Sequence, residues 1–203
     1  AAGIAEKLHY TGYVVDEPAA HASRDGEDEI IVSAGGGAVG ERLLEAAIEA
    51  KSLTASRNRT WRVLAGDNLP PPAVRRLARL AQRAGGVELE KSRPDFTTLL
   101  SNCALSISQA GYNTLLETVQ AGARAIAVPF AGGAETEQAL RARCFAERGL
   151  LEVVDESALT PQALAAAVDR AAARPRPAKG GIDLDGARKS AALISRWAAQ
   201  RNA

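Results

Sequence analysis

Aromatic residues are scarce in this chain: three Phe, two Trp and three Tyr among 203 residues, 4% of the total. A core made almost without them must come from Ala, Leu, Val and Ile, which suits helices laid on a parallel sheet. The same scarcity argues against a nucleic-acid module that reads bases by stacking. Net charge is nearly absent too, at +1, so no global field draws the chain toward nucleic acid or a membrane surface. The balance is uneven, however. From Ala171 onward seven Arg and Lys face two Asp, giving +5 and leaving −4 for the remainder. That basic segment reads first as a solvated helix face and second as a contact for phosphate or anionic lipid. The two cysteines, Cys103 and Cys144, sit among apolar neighbours without metal-ligand spacing, which points to a reducing, cytoplasmic setting. His9 and His21 both fall in the irregular N-terminal stretch and complete no zinc constellation. No run is long and apolar enough to span a bilayer, and no signal peptide is visible. Methionine is missing altogether, even at position 1, which reads either as a fragment of a longer chain or as a short protein with a trimmed leader.

What is present is an alternation of short apolar runs and helical patterns. The polar stretch from Asp16 to Glu29 reads as a surface linker. Strands are expected at Ile30–Ser33, Thr60–Ala65, Val87–Glu90, Ala104–Ser108, Ala125–Val128 and Leu150–Val154. Val87–Glu90 alternates apolar and acidic residues, so it belongs near an edge. Helices are expected at Glu41–Lys51, from the Pro70–Pro72 run through Ala84, at Asp95–Leu100, Tyr112–Ala121, Glu135–Arg148, from Pro161 to Ala172, and about Leu184–Gln200. The last carries Ala187, Ala191, Ile194 and Ala198 on one stripe, and Arg141, Arg143 and Arg148 read as the wet face of theirs. Strand–helix alternation predicts a Rossmann-like α/β fold: a three-layer parallel sheet of about six strands with helices on both faces. No internal repeat is present.

Ala34-Gly35-Gly36-Gly37-Ala38-Val39-Gly40 follows the first strand and precedes a helix. The pattern G-x-G-x-x-G in that context lets phosphates approach the backbone, and the helix start favours negative charge. Three readings of it stand. It is a dinucleotide fingerprint, with Asp67 near the place of a ribose-binding acid; it cradles another diphosphate; or it is a tight turn with no ligand. No Lys-Ser/Thr follows the glycines, which argues against an ATP-type P-loop.

The central stretch Ala104–Gln138 adds two more strand-to-helix turns at the same edge of the sheet, where open α/β sheets bind ligands. One turn carries Ser108, Gln109, Ala110, Gly111, Asn113 and Thr114, with Glu117 one helical turn further on. The other carries Phe130, Glu137 and Gln138. Taken singly, Asn113 and Thr114 also suit helix capping, Glu117 a solvated carboxylate, Glu137 dipole compensation, and Tyr112 and Phe130 packing. Arg93, before Pro94, is a weaker candidate for a phosphate or base contact.

S-x-A-G-x-x-T-x-x-E, a strand ending Val-Pro-Phe, and then E-Q at a helix start together resemble the donor-binding, C-terminal half of GT-B glycosyltransferases, in the family 28, lipid-II-forming branch. The resemblance implies one half of a GT-B fold that binds a nucleotide-diphosphate sugar, UDP-linked, for transfer to an acceptor hydroxyl. It implies that Gly36, Gly37 and Ala38 face the diphosphate, with Gly35 in the same donor-binding set, that Glu117 holds the ribose hydroxyls, and that Glu137 and Gln138 touch the sugar. That branch has two glutamines at the last pair, so Glu137 is a departure that bears on which sugar is bound. No metal and no cofactor is expected. The Tyr10-Thr11-Gly12-Tyr13-Val14 segment resembles the link from a preceding N-terminal domain, which would be a partner in the same chain and would carry the catalytic base; no residue here qualifies. The expected divisions are 1–28 as interdomain linker, 29–172 as the nucleotide-sugar domain, and 173–203 as linker and C-terminal helix. The expected partners are a nucleotide sugar, an unassigned acceptor and, in a longer protein, a peripheral membrane contact, with no nucleic acid. A nucleotide-sugar hydrolase on the same fold and an NAD- or nucleotide-binding regulatory domain remain as alternatives.

Overall fold

The computed structural model describes residues 2–16, 23–35, 39–132, 136–179 and 181–201. The chain divides into two compact units, Pro18–Lys179 and a smaller one formed by Ala1–Glu17 with Gly180–Ala203.

The smaller unit opens on a single helical turn, α1 (Ala2–Ala5), which the sequence reading did not include. The larger unit contains six strands: β1 (Ile30–Ser33), β2 (Trp61–Leu64), β3 (Val87–Glu90), β4 (Leu105–Ser108), β5 (Ala125–Ala127) and β6 (Glu152–Val153). Their helices are α2 (Glu41–Ala50), α3 (Pro71–Ala84), α4 (Phe96–Asn102), α5 (Tyr112–Ala121), α6 (Glu137–Glu147) and α7 (Pro161–Ala173). Helix α8 (Gly186–Arg201) belongs to the smaller unit. All ladders are parallel and the strand order is β3-β2-β1-β4-β5-β6. The expected three-layer parallel sheet is therefore the observed one.

Burial explains the strand compositions. Strands β1 (IIVS), β4 (LSIS) and β5 (AIA) are buried at every position, as apolar runs covered on both faces must be. Edge strand β3 (VELE) is only partly covered. Period-two alternation then sorts the two faces. Ile30, Val32, Trp61, Val63, Leu105, Ile107 and Ile126 pack with Leu44 and Ile48 of α2, Leu77 of α3, and Leu164 and Val168 of α7. On the opposite face Ile31 and Leu64 meet Leu99 of α4, Cys103 and Ala123. Trp61 is the largest fully buried side chain, and its indole N–H donates to the Ser56 carbonyl at 3.3 Å.

Local signals end the helices where expected. Thr160 Oγ1 caps α7 by accepting from the Ala163 N–H at 3.1 Å, with Pro161 in the first turn. Gly122 ends α5 in the left-handed conformation, φ 64°. Two 3-10 turns, Lys51–Leu53 and Ala55–Asn58, were not anticipated. They rest on Lys51, which is buried and donates to the Arg57 and Arg59 carbonyls.

Charge inside the larger unit concentrates at the β2–β3 edge. Arg62, with a side chain only 12% exposed, pairs with Glu29 at 2.7 Å, Glu88 at 2.8 Å, and Glu90. Arg93 holds Asp95 through two N–H groups at 2.8 and 2.7 Å, and those bonds keep the Asp95 carboxyl below the usual carboxylate range.

In the smaller unit, Val14 and Asp185 form an antiparallel bridge. Thr11 Oγ1 and Ser190 Oγ lie 2.8 Å apart, and His9 meets Trp197 edge-on with ring centroids 5.2 Å apart. Ala187, Ala191, Ile194 and Ala198, the stripe read on α8, are exposed.

Two expectations follow. Gly40 adopts φ 154°, and a Cβ there would lie 2.5 Å from the Ala34 Cβ. Gly40→Ala should lower unfolding free energy by about 2 kcal/mol in urea titrations, with an unchanged m-value. Arg93→Ala should destabilise by about 1 kcal/mol at pH 7. The folded Asp95 carboxyl releases its proton more readily than the unfolded one, so the contribution of the pair is complete above roughly pH 5 and fades as pH falls through the folded value. The gap between wild type and Arg93→Ala should therefore close on acidification and persist at higher pH.

Candidate functional site

The strand order reverses between β1 and β4, which lie side by side although β2 and β3 intervene in sequence. A crevice opens outside the carboxyl ends of such a pair. Here the strand ends are tied together. The Gln109 N–H donates to the Ser33 carbonyl at 3.2 Å, and the Val128 N–H to the Ser108 carbonyl at 2.8 Å. The Gly35 N–H donates to Ser33 Oγ at 3.2 Å while Gly35 turns at φ 70°, a left-handed value that glycine takes without strain.

Above these ends lies a cleft of about 320 Å³. Ala34, Gly35 and Val39 border it from β1; Gln109, Gly111, Tyr112, Asn113 and Thr114 from β4 and α5; Gln138 from α6. A smaller hollow of about 180 Å³ continues from it, sharing Gly35 and Thr114 and reaching Gly66, Asp67, Ser92, Arg93 and Phe96. The largest described hollow, about 460 Å³, lies instead beside the amino ends of β1 and β4. Its Arg124 and Arg176 donate to the carbonyls of Ser101, Cys103, Ala104 and Arg174, so they serve the main chain there.

Of the residues selected from sequence, Gly35, Gln109, Gly111, Asn113, Thr114 and Gln138 come together around the one cleft. Ala110 is fully buried beside it, and Ser108 is buried at the end of β4. Glu117 is half-buried on α5, one turn beyond Asn113 and Thr114. Phe130 is half-buried, and its N–H donates to Gln138 Oε1 at 3.3 Å, so Gln138 also braces the loop after β5. The Phe130 ring stands over Gly132, where a Cβ would lie 2.1 Å from it. Glu137 is exposed and pairs with Arg141 one turn along α6. Gly36, Gly37 and Ala38 lie outside the described residues, as does Glu135.

Arg141 departs from its reading as wet helix face. Its side chain is 10% exposed, and its guanidinium carbon lies 4.9 Å from the centroid of the Tyr112 ring. A cation is covered here because an aromatic face and a carboxylate replace part of its hydration. Arg143 and Arg148 are exposed as expected. Val39 and Tyr112 also border the cleft. The available signal was position: one precedes the α2 start and the other opens α5.

Among the described lining residues of the cleft, none carries a formal charge. Helices α2 and α5 begin at Gly40 and Gly111 without a side-chain cap, and the positive end of a helix dipole favours an anion. The amides of Gln109, Asn113 and Gln138 can exchange hydrogen bonds with hydroxyls. The arrangement suits an elongated anion, and its described lining residues include no carboxylate or imidazole to remove a proton. Among the described residues no cluster of three His, Cys, Asp or Glu could hold a metal ion, and no helix is long and apolar enough to cross a membrane.

Comparison with known proteins fits this geometry. The glycosyltransferase family 28 C-terminal domain matches residues 31–182. A curated relative from Methylorubrum extorquens (strain PA1), the UDP-N-acetylglucosamine–N-acetylmuramyl-(pentapeptide) pyrophosphoryl-undecaprenol N-acetylglucosamine transferase, is 32% identical over 127 residues, covering 59% of this chain and 34% of the relative. The chain thus spans about a third of that protein's length. Among solved structures, MurG of Acinetobacter baumannii superposes with TM-score 0.56 at 21% identity, over 70% of this chain and 40% of that one. The glycosyltransferase VinC in complex with dTDP superposes with TM-score 0.57 at 20% identity, over 81% and 37%. With the family matched over three quarters of its length and its sheet shared with these enzymes, the chain belongs to the glycosyltransferase family 28 C-terminal domain family and forms one half of a GT-B fold.

Proposed function

We propose that the 29–172 region binds a nucleotide-diphosphate sugar, UDP-linked, and presents it for transfer to an acceptor hydroxyl. The observation that carries this reading is the single cleft shared by Gly35, Thr114 and Gln138, which come from three separate strand-to-helix crossings. A dinucleotide reading uses the first crossing and leaves the other two without a role.

On this reading the diphosphate lies against the glycine loop Gly35–Ala38, between the starts of α2 and α5. Backbone N–H groups aimed at the departing oxygen stabilise charge as it develops, in place of a metal ion. The nucleoside extends past Thr114 toward the smaller hollow, with its ribose hydroxyls on the Glu117 carboxylate. The hexose occupies the Tyr112–Gln138 end, where Gln138, with Glu137 beside it, meets its hydroxyls. Ser108, Gln109, Ala110 and Asn113 shape the turn between these subsites, and Phe130 covers the loop that Gln138 braces. The proton of the acceptor is taken by a base from outside this chain, in an N-terminal domain of the same protein, working at the cytoplasmic side. The 203-residue chain by itself therefore binds donor and turns over none.

The test is differential scanning fluorimetry with UDP, UDP-N-acetylglucosamine, GDP and NAD. At a ligand concentration near 100 times the dissociation constant, UDP compounds should stabilise by about 2.7 kcal/mol, roughly 5–10 °C for a chain of this size. Glu117→Ala should weaken UDP about 100-fold by removing charge-assisted bonds to the ribose. A shift with NAD and none with UDP compounds would reject the proposal; unchanged UDP affinity in Glu117→Ala would remove the ribose assignment alone.

A further inference from the structure

The cleft's described lining is uncharged, yet a guanidinium stands directly behind it. Arg141 lies one helical turn beyond Gln138 on α6 and reaches across to the ring of Tyr112 at the start of α5, 4.9 Å from its centroid. It is held from the other side by Glu137. Both Tyr112 and Gln138 border the cleft, at the end away from the smaller hollow. The Arg141 side chain is 10% exposed, the Glu137 side chain 74%.

As a stability device this arrangement is a weak one. A pair within one helix whose carboxylate stands in water is heavily screened. What the contact does fix is geometry. Tyr112 is 41% exposed at a helix start. A cation lying over one face of that ring restricts it, and it couples the opening turns of two helices that face each other across the cleft. The width of the cleft at this end then depends on Arg141, although Arg141 is not among the residues described as bordering it.

Resting on the donor-binding reading above, we propose that Arg141 is a positioning residue. It acts through Tyr112, holding that ring as the wall against which the hexose of the donor packs, and so contributes to the choice of sugar. Aromatic rings suit this task because hexoses present faces of C–H groups between their hydroxyls, and a ring held still pays little entropy when it meets them. The nucleoside diphosphate lies beyond the reach of this wall.

The experiment is isothermal titration of the 203-residue chain and its variants with two probes, UDP and UDP-N-acetylglucosamine. Arg141→Met should weaken UDP-N-acetylglucosamine about fivefold to tenfold and change UDP less than twofold. Arg141→Lys retains a cation over the ring and should recover most of the loss. Tyr112→Ala, which removes the wall without emptying a buried site, should reproduce the Arg141→Met pattern and keep the wild-type melting temperature within about 2 °C. Equal losses for both probes in Arg141→Met would overturn the proposal, since they indicate general disruption or a direct phosphate contact. So would unchanged binding of both. Wild-type chain that binds neither probe would overturn the donor-binding reading itself, and this inference with it.

Discussion

A parallel sheet must send each chain crossing over one of its faces, and the order β3-β2-β1-β4-β5-β6 makes those crossings part company between β1 and β4. Every feature of the site depends on that divergence. The connection to α2 leaves on the face lined by Leu43, Leu44 and Ile48, while α4 covers the other with Leu99. Neither layer closes the gap above the two central strand ends. Those ends are nonetheless rigid, because Ser33 and Ser108 each accept a main-chain bond from the neighbouring strand's exit. A gap with a fixed floor, walled by helix starts lacking side-chain caps, favours an anion before any particular side chain is considered.

The core achieves this rigidity with few large side chains. Trp61 and Phe145 are its only fully buried aromatics among the described residues; aliphatic strands and alanines supply the rest. Small residues let α2 and α7 approach the sheet closely, with Ala47, Ala167 and Ala171 buried at those contacts. Apart from buried Lys51, charge is kept to the periphery. The Arg62 cluster with Glu29, Glu88 and Glu90 sits at the β2–β3 edge, where removing Arg62 would leave three carboxylates facing one another. Burial likewise pushes the Cys103 thiol up to about 12, which leaves it an inert core residue.

The parts of this structure legible in the sequence are those set by local chemistry. β1, β3 and α5 have the bounds their apolar patterns indicate, and Gly122 ends α5 as a left-handed cap. The edge position of β3 follows from VELE, since an acidic side chain every second residue cannot be covered on both faces. β2, β4, β5 and β6 are shorter than their apolar runs, although Ala65, Val128 and Val154 each still donate a main-chain bond to the last residue of the neighbouring strand. Long-range burial was less legible. Lys51 looks like an exposed helix end, yet three-dimensional neighbours turn it inward to bond two carbonyls. Arg141 has the spacing of a solvated face, and only the proximity of α5, 29 positions back along the chain, reveals the ring that covers it. In the site, Gly35, Gln109, Asn113, Thr114 and Gln138 were recognisable because turn position alone puts them at the carboxyl edge.

The neutrality of the cleft bears on how labour is divided in an enzyme of this kind. Tyr112 is the one titratable group among its described lining residues. A surface made of main-chain N–H groups and amide side chains binds a diphosphate more firmly as its leaving oxygen gains charge, which is the differential binding that speeds a reaction. Its described lining residues include no carboxylate or imidazole to draw a proton from an incoming hydroxyl. On the proposed reading the two tasks are therefore separated in space: leaving-group stabilisation belongs to this half of the fold, and acceptor activation to a surface that approaches it. Transfer then requires the two surfaces to meet around the donor, and it is their meeting that expels water from the sugar.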